Sequence, residues 1–188
     1  MRQTGSKKAA APRQIKESTV KEGKLHRVYL ALNPQELENL EFSGGCATIV
    51  DEEFLKANNF PELGGLHGED QEIAEDTALY QAAARSRHLQ SAATEPRLVV
   101  AVAETAAELQ SRLGEPGEYS LSRPVPLEEV VSFHVSEAVT ESDSPESNTS
   151  ESEADGLTSA GVELPSLLWF DVSELELVRE FLGITPNR

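Results

Sequence analysis

Twenty residues from Glu137 to Gly156 read EAVTESDSPESNTSESEADG, with seven carboxylates, five serines and no basic side chain. Such a tract has almost no apolar surface to bury, so it does not fold by itself. It stands between two segments that carry apolar strand patterns. A fold that uses both segments must close around a long loop. Closure rises by only about 0.6 kcal/mol per doubling of loop length, so a solvated insertion of this size is tolerable. Two further roles fit the same composition. The tract offers a surface for a basic partner, and its serines, such as Ser150 with Glu151 and Glu153 behind it, fit phosphorylation.

The rest of the charge is unevenly placed. Eight of sixteen basic residues fall in the first 27 positions, opposed there only by Glu17 and Glu22, so this arm carries +6. The whole chain is −17, which leaves −23 on the remainder. A body of that charge repels polyanions, and no nucleic-acid partner is expected. Residues 1–24 lack strand or helix periodicity and read as a disordered basic arm. The arm is either a plain flexible terminus or a contact for an acidic surface, including the chain's own tract. Cys46 is the sole cysteine. It follows two glycines and has no nearby base, so it reads as a plain small residue. With no internal disulfide possible and no apolar run near the N-terminus, we expect neither a signal peptide nor a membrane span, and a cytoplasmic location.

The periodicity predicts a fold. Leu25 to Ala31 reads as a strand. Asn33, Pro34 and Glu36 set a helix start of the capping-box type, with Leu37 and Leu40 facing the core and Gly44-Gly45 as the stop. Ala47 to Val50 is a second strand, and Asp51 caps a helix anchored by Phe54 and Leu55. Residues 71–93 form the longest helix, in which Ala74, Ala78 and Ala82 recur at four-residue spacing with Leu89 on their side. Leu98 to Ala103 is a continuous apolar run that suits a strand covered on both faces. Ala106 to Leu113 reads as a short helix, and Tyr119 to Leu121 as a minor strand. Further on, Val131, Phe133 and Val135 alternate with Ser132, His134 and Ser136, which gives one buried face and one wet or lightly covered face. Leu167 to Val172 is the last strand, and Ser173 with Glu176 starts the final helix, which Gly183 ends. The expected class is α+β or α/β, with a single mixed sheet of about five strands packed by helices. The acidic loop, 137–160, is inserted before the last strand of a domain spanning 25–183, and 184–188 is a tail.

Chemistry is thinly represented. There is no phosphate loop, GxGxxG, GxSxG or HExxH motif, and one cysteine excludes a thiolate zinc cluster. His67 sits beside Glu69 and Asp70 in a glycine-rich loop, a combination able to hold a metal or exchange protons, although loop histidines beside acids are common. Ser132 and His134 share a strand face, but same-face residues lie about 7 Å apart, beyond hydrogen-bond reach. Trp169-Phe170-Asp171 is the densest aromatic site. It reads as core packing, with a binding edge as the alternative and Asp171 as a lead into the last helix. No catalytic, cofactor or metal residue is assigned, and no cofactor is expected.

Four short segments recur in a telling order: HRVYL at His26 to Leu30, LVVA at Leu98 to Ala101, the stretch from Val125 to Val135, and LLWFDV at Leu167 to Val172. In this the chain resembles a family of small uncharacterised actinobacterial proteins, a domain of unknown function. The resemblance covers residues 26–136 and 162–182. Ala31 stands where the family often places proline, and the N-terminal arm is an addition. The resemblance implies no activity and no site residues. The leading expectation is therefore a non-catalytic interaction or regulatory module with a protein partner. The alternative is a small hydrolase or metal-dependent enzyme built on His67, Glu69 and Asp70.

Overall fold

A computed structural model describes residues 25–43, 45–90, 96–137 and 165–184. The basic arm, most of the acidic tract and the last four residues lie outside the described residues. The class is α+β. Among the described residues seven strands form one sheet in the order β5-β6-β3-β1-β4-β8-β9, and each of these pairings is antiparallel. They are β1 (His26–Leu32), β3 (Ala47–Thr48), β4 (Val99–Thr105), β5 (Leu109–Arg112), β6 (Glu118–Leu121), β8 (Val130–Ser136) and β9 (Leu167–Asp171). A separate two-residue ribbon joins β2 (Glu41–Phe42) to β7 (Val125–Pro126). The helices are α1 (Glu52–Ala57), α2 (Glu69–Leu89) and α3 (Leu175–Leu182).

The sheet is thus larger than the expected five strands, and antiparallel rather than mixed. The main cause is Ala106 to Leu113, where the expected helix gives way to β5. Its residues have little strand preference of their own, but a tight turn beginning at Gly114 brings them against β6. There the Ser111 N–H donates to Ser120 Oγ at 3.1 Å, and the Leu113 N–H to the Glu118 carbonyl at 2.8 Å. Long-range pairing overrides local preference here.

The two central strands explain the uninterrupted apolar run. Leu30 pairs with Ala101 and Tyr29 with Val102, so both strands bury alternate residues on opposite faces. One face holds Val28, Leu30, Leu32, Phe42, Phe133, Leu175 and Val178. The other holds Tyr29, Phe54, Leu55, Val100 and Val102 beneath Ala74, Ala78 and Ala82 of α2. Small alanines let the helix axis lie close to the sheet. Leu89, expected on the same row, is instead exposed at the helix end.

Several local expectations change by one or two residues. Asn33 and Glu36 do form a capping box, but the element is a 3-10 turn, Pro34–Glu38, that ends at Asn39. Leu37 is therefore buried while Leu40 is exposed, past the turn. The final capping box is Asp171 with Glu174, not Ser173 with Glu176. Asp171 closes β9 and opens a 3-10 turn that feeds α3, whose Leu177 faces solvent and whose end is Gly183. In β8 a register shift sits where Ala103 meets Val130 while Val102 meets Ser132. The bulge ejects Val131 to the surface and puts Val130 in the core.

Candidate interaction edge

The polypeptide that re-enters at Leu167 pairs with β8 over five residues in unbroken register, from Ser136↔Leu167 to Ser132↔Asp171. It becomes the outermost strand of the sheet. Its sequence, LLWFD, alternates between faces, so Leu168 and Trp169 point to opposite sides. Leu168 is 44% exposed and Trp169 60% exposed. Core packing, the first expectation for the chain's only tryptophan, is overturned. Among the described residues the sheet ends at β9, and the main helix lies elsewhere, packed across β1, β3 and β4.

Behind Trp169 lies its cross-strand partner His134. The His134 Nε2 sits 3.3 Å from Ser132 Oγ. The expected 7 Å gap holds for the backbone but not for the side chains, which lean together along the strand. Burial lowers the His134 pKa, with the Asp76 carboxylate pulling the other way. Burial thus favours the neutral ring, which is hydrogen-bonded to a serine that is 4% exposed. A serine so enclosed does not meet a substrate, and the pair works as a satisfied polar floor under the edge.

Asp76 belongs to the side of α2 that faces this end of the sheet. At 100° per residue, Asp76 and Tyr80 share one flank of the helix. Gln81 and Arg85 share the opposite one, and there Gln81 donates to the Pro116 carbonyl at 3.0 Å. At the other end of β9, hydrogen bonds from the Ser173 hydroxyl and backbone N–H hold the Asp171 carboxyl below its ordinary value. Asp171 is a cap first, as the lead into the last helix.

The other candidates do not gather. His67, Glu69 and Asp70 are all exposed, and the two acids occupy the first turn of α2, where they complement its positive end. Among the described residues no three His, Cys, Asp or Glu side chains converge to hold a metal ion. Cys46 is buried and unpaired. Among the described residues no helix is long and apolar enough to cross a membrane.

Residues 26–178 match the Family of unknown function (DUF6912). The chain belongs to that family. Its span opens on β1 and closes at Val178 in α3, so it includes both strands of the exposed edge. No curated protein and no solved structure matches the chain. The DUF6912 family brings no activity with it, so function has to be argued from the edge itself. One signal for that edge was in the sequence: β9 contains no Lys, Arg or Pro, the residues that ordinarily guard an open strand.

Proposed function

We propose that this chain is a non-catalytic protein-interaction module that takes an extended segment of a protein partner alongside β9. The observation that carries the reading is an edge strand in regular register that exposes Trp169 and Leu168 on its two faces. An added strand supplies backbone hydrogen bonds, and alternate side chains on each face supply selectivity. Tryptophan is the residue type most apt to anchor such a contact. Charge narrows the partner. The body is strongly acidic and β9 ends in Asp171, so the docking segment is apolar at its centre and flanked by Lys or Arg. A cytoplasmic setting fits a chain whose single thiol, Cys46, is buried and unpaired.

Partner capture with the full chain, with Trp169→Lys and with residues 137–160 removed tests this reading. The single tryptophan also gives a direct signal, a blue shift of its emission when a captured partner covers it. We expect Trp169→Lys to weaken capture by about thirtyfold or more, the loss of one interface anchor. A partner set that survives Trp169→Lys but vanishes with residues 137–160 would overturn the edge and assign binding to the acidic tract.

A further inference from the structure

β9 carries different chemistry on its two faces. Leu167 packs with the cluster under α2, and Phe170 with the cluster that holds Leu175 and Val178 of α3. Alternation then puts Trp169 and Asp171 on the α2 side with Leu167, and Leu168 on the α3 side with Phe170. The register agrees, because Trp169 pairs with His134 and Asp171 with Ser132.

The α3 side is an apolar ledge with a cation already on it. The Phe170 and Phe181 rings lie 6.1 Å apart, and Val172 and Leu182 pack on the same cluster. The Arg97 guanidinium stands over the Phe181 ring at 5.6 Å and donates to the Phe181 carbonyl at 2.6 Å. A second cation brought to this face would meet the first. The α2 side is acidic. Both side-chain bonds that Asp171 accepts from Ser173 fall on Oδ1. Asp171 forms no ion pair among the described residues, which leaves Oδ2 open. Asp76 of α2 forms none there either, and its charge reaches His134, the cross-strand partner of Trp169. The exposed Trp169 ring adds a face that attracts cations.

Given that β9 takes a partner segment, as proposed, we infer that the segment runs antiparallel to it, with an Arg or Lys opposite Asp171 and apolar residues opposite Phe170 and Leu168. Antiparallel pairing continues the pattern of the described sheet. Residues directly opposite share a face with their Cβ atoms about 5 Å apart, and diagonal neighbours are within reach of long side chains. The stem of the cation therefore lies along Trp169 while its charge meets Asp171 Oδ2. The two apolar residues extend the ledge of Leu168 and Phe170. A segment shifted by one residue fails on both faces, because it brings its cation to the side of Arg97 and sets an apolar side chain against Asp171.

The probes are three acetylated pentapeptide amides, added to the isotope-labelled full chain. Arg-Val-Thr-Val-Thr has the inferred pattern. Glu-Val-Thr-Val-Thr reverses its charge. Val-Arg-Thr-Val-Thr keeps composition and charge but moves the cation to the α3 side. Amide shifts along β9 report binding, and Trp169 emission reports cover, since the peptides hold no aromatic residue. We expect the first peptide to bind about threefold to tenfold more tightly than either of the others. Asp171→Asn removes the charge and keeps a residue that caps well. It should bring the three peptides within about twofold of one another. That variant leaves all but one of the charges on the acidic body, so a preference that survives it comes from the field of the whole chain and overturns the inference. Equal binding of the first and third peptides overturns it too. Either result, with shifts still seen along β9, leaves the open edge standing. No shift along β9 with any peptide overturns the edge and the register together. Sedimentation of the free chain should show a monomer. A dimer that Trp169→Lys turns into a monomer would give the edge to a second copy and overturn the inferred segment.

Discussion

The sheet has two edges, and they are built on opposite rules. β5 is short, polar and irregular. Its register against β6 shifts between Leu109 and Arg112, three of its four residues are exposed, and Arg112 forms an ion pair with Glu53. An extended segment approaching it meets charge and a broken ladder. β9 is regular, apolar and uncharged until Asp171. Natural sheets blunt edges they do not use. One blunted edge beside one regular, apolar edge, in the same sheet, is the contrast that the proposed pairing at β9 rests on.

The sharpest way to separate the two ends is through a pair of glycines. Gly117, in the turn between β5 and β6, has φ +78°, and a Cβ there would meet the Ile49 carbonyl at 2.7 Å and Phe54 Cβ at 2.9 Å. Gly183, behind β9 at the end of α3, has nearly the same φ, +71°, with nothing within 4 Å. Gly117→Val combines left-handed strain with overpacking and should lower stability by about 2–5 kcal/mol. Gly183→Ala carries the strain alone and should lose about 1 kcal/mol. Urea unfolding of both variants measures the difference. Equal losses would mean that the β5–β6 turn is not wedged against α1 as described.

Much of the fold was legible from the sequence because its signals are local. The Leu98 to Ala103 run, the alanine row of α2 and the Asn33/Glu36 cap each depend on neighbours within a few residues. What escaped depends on partners far along the chain. β5 forms because β6 faces it. The bulge at Val131 arises from pairing with Ala103, which no alternation within β8 reveals. Asp171/Glu174 and Ser173/Glu176 have the same spacing, and the choice between them is made by where β9 leaves β8. The exposure of Trp169 follows from sheet order, which periodicity does not encode.

Titration should loosen the two ends at opposite extremes of pH. Near the polar edge, Tyr119 donates to Asp51 Oδ2 at 2.5 Å, and that bond raises the phenol above its ordinary value. Cys46, just before β3, is pushed from 9.0 to about 11, first by burial and then by Glu118. Both groups hold their protons more tightly folded than unfolded. Their contribution is whole below the unfolded pKa and is lost as pH climbs, between 9 and about 11 for the thiol. That loss is on the order of 2 kcal/mol for Cys46. His134, behind the apolar edge, is shifted the opposite way. Its contribution is whole above 6.5 and is lost as pH falls through the lowered value. Cys46→Ala should flatten the alkaline limb of a stability–pH curve, and His134→Phe should flatten the acid limb only. An alkaline limb untouched by Cys46→Ala would remove the thiol from the account.

The smallest expected effect separates an interface residue from a structural one. If β9 is open for a partner, its outward side chains contribute little to the isolated fold. Trp169→Lys and Leu168→Lys should each change the stability of the purified chain by less than about 0.5 kcal/mol. Phe133→Ala, one strand inward and fully buried against Phe42 at 5.8 Å, should lose about 3–5 kcal/mol. The polar edge supplies the control. Arg112→Ala breaks one exposed ion pair and should also stay within about 1 kcal/mol, because such pairs are weak in water. Stability therefore treats the two edges alike, and only partner binding tells them apart. If Trp169→Lys lowered the unfolding free energy as Phe133→Ala does, Trp169 would be part of the core, and the contrast between the edges would rest on Leu168 alone.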